Sequence, residues 1–152
     1  MFYTNPFAEL ISFMPVEALQ AFVILMVAMV ALGTILDMAH KKNAKYFFIN
    51  YKKATESATK KVSAGEKAAV ISKTIASDIL TTSELGRGQR RAAHLLGMYG
   101  SILFWICSAV LIFAYTGVAK EAPYQVSALW HVGAIMTCLG GYWFWFFLRV
   151  DV

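Results

Sequence analysis

Charged residues are missing from three long stretches of this sequence. Only 15% of its 152 residues are Asp, Glu, Lys or Arg, against 59% hydrophobic residues, whereas a soluble domain carries about a quarter charged residues. None of the four occurs in residues 18–36, 92–119 or 122–148. Because about 20 apolar residues cross the hydrocarbon of a bilayer, each stretch predicts a transmembrane helix. A soluble globular domain is therefore excluded.

The predicted fold is an all-α integral membrane domain with three transmembrane helices. We expect an outer interfacial segment at 1–15, spans at 16–38, 92–118 and 123–149, and a basic segment at 39–91. The first span does not fit a cleaved signal peptide. No basic residue precedes it, and it is longer than the apolar region of such peptides.

Basic residues are scarce outside one segment. Of the 14 Lys and Arg, 12 lie between Lys41 and Arg91 beside four acidic residues, a charge of +8 (12 − 4). The positive-inside rule predicts that this segment and the Arg149 end are cytoplasmic, with the N-terminus and the Lys120 loop outside. The net charge of +5 then reflects topology and attraction to anionic lipid. It gives no support for nucleic-acid binding.

Apolar or small residues recur at helical spacing within the basic segment. One stripe comprises positions 47, 51, 54, 58 and 62, and a second comprises Ala68, Ile71, Ile75 and Ile79. The sequence Ser63-Ala64-Gly65 separates them. The stripes predict two amphipathic helices that lie on the membrane surface or, less favoured, against a protein partner.

Small residues recur on the later spans, where they predict close helix packing. They are Gly133, Thr137 and Gly141 on the third span, and Gly97 and Ser101 on the second. Trp130 is expected to be an interfacial anchor near the outer boundary. The two cysteines, Cys107 and Cys138, lie within spans without CxxC spacing, which favours reduced packing residues.

No motif of a soluble enzyme is present. The sequence has no Gly-rich phosphate loop, no HExxH and no nucleophile elbow. The charge-free stretches contain no carboxylate, which weighs against a proton or ion transporter.

Three histidines remain as candidate cofactor-binding residues: His40, His94 and His131. A histidine in a span is either a polar helix-contact residue or an axial ligand of b-type haem, whose iron binds neutral imidazole. His94, the candidate metal ligand, shares a helix face with Gly97 and Ser101. Such small residues leave room for a macrocycle or for a packed helix. His40 is flanked by lysines and is typical of a solvated residue.

Helical rise restricts which histidines can share an iron. We expect His94 within about one turn of the inner surface, and His131 lies 17 residues before Leu148, or roughly 25 Å away from that surface. These two histidines therefore cannot ligate one haem within a protomer. If haem is bound, His94 pairs with His40, which matches it in depth, or with a histidine of another chain.

The run 80–100, which includes Arg90-Arg91, His94 and Tyr99-Gly100, resembles the start of a haem-bearing helix in a known family. The family is that of nitrate-reductase gamma-like and heterodisulfide-reductase-like membrane subunits, and the sequence is nearest the adenylylsulfate reductase membrane anchor. Residues 33–48 and 128–141 are also similar to this group. The resemblance carries over only His94 as a haem ligand.

The resemblance implies a b-haem subunit in a bacterial or archaeal cytoplasmic membrane. Such a subunit passes electrons between the quinone pool and cytoplasmic iron–sulfur or flavin subunits, and is not a catalyst by itself. The family usually has five or more spans, and its nitrate-reductase members have a second histidine where this sequence has Phe104 or Trp105. We therefore expect that the chain is part of a longer protein, that a partner completes the bundle, or that haem has been lost.

Two alternative functions stay open. One is a non-redox membrane anchor that docks a soluble oxidoreductase. The other is a haem anchor of the succinate-dehydrogenase type, which fits three spans although its Ser-x-x-His-Arg signature is missing.

Overall fold

The computed structural model describes residues 4–59, 62–86, 88–116 and 121–148. It is 84% helical, and these residues contain no strand. The α-helices within them are α1 (Ala8–Phe13), α2 (Val16–His40), α3 (Asn43–Glu56), α4 (Ala64–Thr74), α5 (Gln89–Ala114) and α6 (Tyr124–Trp143). Two π-helical turns, Ile75–Leu80 and Phe144–Leu148, extend α4 and α6, and a 3-10 turn covers Ser83–Leu85.

The structure has three long apolar helices, as the sequence predicted. α2 has 25 residues, α5 has 26, and α6 with its π-helical turn has 25, so each is long and apolar enough to cross a membrane. α5 begins three residues before the expected start at 92 and takes Arg90 and Arg91 into its first turn. Several positions used in the predictions, namely Arg87, residues 117–118, Lys120 and Arg149, lie outside the described residues.

α5 and α6 form a tightly packed antiparallel hairpin. A methyl group at the Cβ position of Gly133 would lie 2.7 Å from Phe104 N, and one on Gly100 would lie 2.6 Å from Thr137 N. The Cβ position of Gly140 falls against Gly97 N. Side chains at these glycines would collide with backbone, so the two helices approach closely only because hydrogen occupies these positions.

The predicted small-residue ridge on α6 is right for Gly133 and Thr137 and wrong for Gly141. Nothing lies within 4 Å of the Cβ position of Gly141, and Gly140 makes the contact in its place. The contacting glycines of α6 are thus seven residues apart. A seven-residue spacing keeps contacts in register along two packed helices, whereas a four-residue spacing drifts around the helix.

α2 packs against the hairpin at one end only. Leu19 is buried, and Gln20 Nε2 donates a hydrogen bond of 3.1 Å to Ile112 O. Every residue from Val27 to His40 is exposed. We call the end of the long helices next to residues 41–91 the basic end, and the other the opposite end. α2 therefore separates from the hairpin as it runs from the opposite end to the basic end.

A two-residue turn joins α2 to α3, with Lys42 in the left-handed conformation (φ 53°). α3 ends at Glu56, so positions 58 and 62 of the first predicted stripe lie beyond it and that prediction was too long. The Ser57 hydroxyl donates a 2.8 Å bond to Lys53 O. Such side-chain bonding to a carbonyl of the last turn competes with continuation of the helix.

Ser63, expected only to interrupt the helical pattern, is the N-cap of α4. Its hydroxyl accepts a 3.2 Å hydrogen bond from Glu66 N. In return, Ser63 N donates a 2.9 Å bond to a Glu66 carboxylate oxygen. This capping box satisfies backbone donors that the first turn of a helix would otherwise leave open. It also lowers the pKa of Glu66, chiefly through the bond from the Ser63 backbone and then through the Ser63 side chain.

Candidate functional site

The three candidate histidines lie on three different helices. His40 is the last residue of α2, His94 lies in the second turn of α5, and His131 lies about two turns into α6. His40 and His94 are exposed and His131 is half-buried. Neither His40 nor His94 makes a hydrogen bond, ion pair or ring contact with the rest of the described chain.

The glycine contacts fix the depth of His94 relative to His131. Gly140 lies between Ala93 O and Gly97 N, and Gly133 lies between Gly100 O and Phe104 N. His94 is therefore level with about residue 141, some ten residues from His131. At 1.5 Å rise per residue this separates the two histidines by roughly 15 Å along the helix axis. The hairpin thus does not bring His94 and His131 to one iron.

His94 lies on the face of α5 that α2 contacts. It is 18 residues from Ile112, the residue that accepts the bond from Gln20, and 18 residues are five whole turns of an α-helix. From Ile112 to His94 the helix rises roughly 27 Å, and from Gln20 to His40 α2 rises roughly 30 Å. His94 therefore faces the space that opens beside α2, at about the depth of His40.

His40 matches His94 in depth, on a part of α2 that is separated from the hairpin. The residues of α2 that are buried or half-buried form one stripe. They are Val16, Leu19, Gln20, Val23 and Met26. His40 lies 14 residues after Met26 and 21 after Leu19, so at about 100° per residue it stays within about 60° of both around the helix. His40 therefore extends this stripe, at a depth where α2 is no longer packed against the hairpin.

Residues 80–81 are tied to α5 on either side of His94. Arg91 Nε donates a 2.7 Å hydrogen bond to Thr81 O, and Tyr99 OH donates a 2.6 Å bond to Leu80 O. These bonds hold the last part of the 41–91 segment against the first turns of α5. The position of His94 at the basic end is thus fixed by contacts that its neighbours make.

Asp78 lies just before this attachment. Its Oδ1 accepts hydrogen bonds of 2.7 Å from the hydroxyls of Ser83 and Ser77. These bonds, that of Ser83 first, lower the pKa of Asp78. The carboxylate therefore holds the π-helical turn and the 3-10 turn together.

His131 lies beside a polar contact between α5 and α6, a crossing near the opposite end. Its Nδ1 lies 2.8 Å from Ser127 O, a carbonyl that can only accept, so we assign the ring hydrogen to Nδ1. The adjacent Trp130 was expected to be an interfacial anchor. Its Nε1 donates a 2.8 Å bond to Ser108 Oγ, and its ring lies 5.0 Å from that of Phe104.

Sequence reasoning missed this crossing. The sequence did contain a signal for it: Ser108 and the indole N–H of Trp130 lie on two neighbouring spans, and polar side chains in spans tend to form hydrogen bonds across helices. Gln20, inside the first charge-free stretch, gave the same signal for the bond between α2 and α5. His131 itself bonds within α6, to Ser127 O, and its ring makes an edge-to-face contact with that of Trp130 at 5.0 Å.

An open groove of about 490 Å³ runs along α6 at the basic end. Its lining comprises Thr137, Cys138, Gly141, Tyr142, Trp145 and Phe146. Gly140 and Ala93 lie in the contact between α5 and α6. In two antiparallel helices, the residues that directly follow such contact positions point to the same side of the pair. Gly141 and His94 therefore lie on one side of the hairpin.

Cys138 is exposed whereas Cys107 is buried, so the packing interpretation holds only for Cys107.

The residues around His94 fit one axial imidazole beside open space, and they do not supply a complete ligand set. Within the described ranges no three His, Cys, Asp or Glu residues are grouped as metal ligands. The chain matches no model of a protein family, and no curated protein or solved structure is significantly similar to it.

Proposed function

We propose that the chain is a membrane subunit of a respiratory or sulfur-metabolism oxidoreductase. In this role it transfers electrons between the quinone pool and a cytoplasmic iron–sulfur or flavin partner, with b-type haem as its cofactor. The observation that carries the proposal is the placement of His94. It is an exposed imidazole on the α2 side of a rigid hairpin, with open space at Gly141 on the neighbouring helix.

His94 would hold the haem iron, and bound haem would supply one-electron redox chemistry. The close hairpin keeps α5 and α6 fixed beside it, and the separation of α2 from the hairpin leaves room for a flat group. A second ligand from a further helix, of this protein or of another chain, completes the site. His40 has the right depth for this role but lies on the part of α2 that is separated from the hairpin, and His131 is too far along the axis.

The proposed orientation places segment 39–91 and the C-terminal end in the cytoplasm, with the N-terminus outside, in a bacterial or archaeal cytoplasmic membrane. This follows from the +8 charge of residues 41–91 and the positive-inside rule. α3 and α4 are then the two cytoplasmic amphipathic helices. A soluble redox partner would meet the membrane subunit at this side.

The decisive experiment is optical spectroscopy of the protein isolated in native-membrane discs, together with the membrane proteins bound to it. We expect a Soret band and a reduced α-band, both lost in His94→Ala and both retained in the matched variant His131→Ala. Absence of both bands from the unmodified protein would refute haem binding. Loss of the bands in His131→Ala alone would refute the role of His94.

The alternative is a structural anchor without a redox centre. Within the described residues no second imidazole contacts His94, which favours this alternative. His94→Ala separates the two functions. An anchor would still recruit its soluble partner and support turnover, whereas a haem subunit would recruit the partner and fail to exchange electrons with quinone.

A further inference from the structure

α3 carries an aromatic patch that projects from the rest of the described chain. Phe47, Phe48 and Tyr51 are 65%, 66% and 55% exposed. Their rings contact one another: Phe47 and Phe48 are edge to face at 5.5 Å, and Phe47 and Tyr51 are stacked at 6.4 Å. The three lie within about 100° of one another around the helix. They form one continuous apolar surface, which we call the aromatic patch.

Lysines flank and oppose the patch. At about 100° per residue, Lys45 and Lys52 lie at its edge beside Phe48, and Lys53 lies opposite it. Glu56, the one acidic residue between Asn43 and Glu56, is 3.9 Å from Lys52 Nζ. Residues 41–56 together carry five lysines and one glutamate, a charge of +4 (5 − 1). An aromatic face flanked by lysines is the composition of a helix that lies in a membrane interface.

The position of α3 brings this surface to a membrane leaflet. α2 is long enough to cross a bilayer, and α3 starts only two residues after its end. The left-handed Lys42 breaks the helix at this point and lets the chain leave the axis of α2. The start of α3 is therefore held at headgroup depth, and lipid reaches the aromatic patch without any other protein.

We propose that α3 is an in-plane helix that binds an anionic leaflet, independently of any redox function. The aromatic patch lies at the boundary between headgroups and acyl chains. The lysines extend their ammonium groups to phosphate and other anionic headgroups, since their long apolar stems allow them to reach sideways from a buried helix. Charge complementarity favours this occupant over a neutral bilayer or a second copy of the chain.

The test places an environment-sensitive fluorophore at single cysteines of the full chain, with Cys107 and Cys138 replaced by alanine. Phe48→Cys reports on the aromatic patch, and Lys53→Cys, which lies opposite the patch around the helix, is the matched control. Each is reconstituted at one copy per nanodisc in phosphatidylcholine alone or mixed with phosphatidylglycerol. We expect blue-shifted emission and protection from an aqueous quencher at position 48 and not at 53. The shift should grow with phosphatidylglycerol and shrink with added salt.

Equal quenching at positions 48 and 53 would overturn the proposal. So would protection at 48 that is the same in neutral and anionic discs, or that appears only at two copies per disc. Amide hydrogen exchange of residues 43–56 in the unmodified chain provides a second measurement that does not depend on the labelled variants. Exchange should be slower in anionic than in neutral discs, and equal exchange in both would also overturn the proposal.

Discussion

The two ends of the three long helices are built differently. At the opposite end, α2 packs against the hairpin, Leu19, Leu111 and Ile112 are buried, and Gln20 and Trp130 form hydrogen bonds between helices. At the basic end only α5 and α6 remain in contact, and His40 and His94 are exposed. One end therefore resembles a completed bundle, and the other resembles a bundle with a helix missing.

This difference indicates where a further component would bind. In lipid, apolar surface alone does not drive helices together, so packing and interhelical hydrogen bonds decide which helices associate. The opposite end has both. The basic end has a candidate ligand, open glycines and a polar segment tied to α5, but it lacks a third helix.

Gly140→Leu tests whether the hairpin is the fixed element at the basic end, and we expect it to have the largest effect. The new side chain would collide with Gly97 N and Ala93 O, which should destabilise the hairpin by about 3 kcal/mol. Gly141→Leu adds the same side chain one residue away, where nothing lies within 4 Å, and should change little. Thermal unfolding in detergent measures both, and equal losses would contradict the assigned register.

Leu19→Ala should make the two ends alike by weakening the attachment of α2. Leu19 is 7% exposed and Leu32 is 53% exposed, so Leu32→Ala is the matched control. We expect Leu19→Ala to cost about 2 kcal/mol, the lower end for such changes in packed cores, and Leu32→Ala to cost much less. Pulsed EPR distances between spin labels on α2 and α5 should broaden only for Leu19→Ala. Broadening in the control would show that α2 also packs near the basic end.

The smallest effect concerns pH and the start of α4. Hydrogen bonding lowers the pKa of Glu66 below its ordinary value of 4.5. The ionised carboxylate therefore stabilises the capping box fully above that value, and this stabilisation is lost as pH falls through the lowered folded-state pKa. Circular dichroism should show loss of helix on acidification below pH 4.5. Glu66→Gln, which keeps a capping acceptor, should remove this dependence, and an unchanged acid transition would contradict the assignment.

The spans could be predicted from the sequence because their signal is local. A charge-free run long enough to cross a bilayer can be recognised directly in the sequence, as residues 92–119 show. The contact between spans could not be predicted from the sequence, because it depends on how each helix is rotated about its axis. Gly140 rather than Gly141 touches α5 because the glycines of both helices must meet in one antiparallel register.

For the candidate site, too, some features could be predicted from the sequence and others could not. The relative depths of His94 and His131 follow from helical rise, and the separation found in the hairpin agrees with the expectation that they cannot share an iron. The separation of His40 from the hairpin and the bond from Trp130 to Ser108 depend on tertiary packing. Composition identifies the polar residues in the spans, and it does not say which of them meet.

The contrast between the short α5–α6 connection and the long 41–88 segment also has a consequence for biogenesis. The hairpin can leave the translocation machinery and assemble as one unit, since closing a short connection costs little chain entropy. α2 enters the membrane earlier and docks later, through a contact confined to its first eleven residues. For that docking, α2 and the hairpin then need not belong to one continuous chain. A chain severed between α3 and α4 should reassemble from two co-expressed pieces, and α2 of one molecule can serve the hairpin of another.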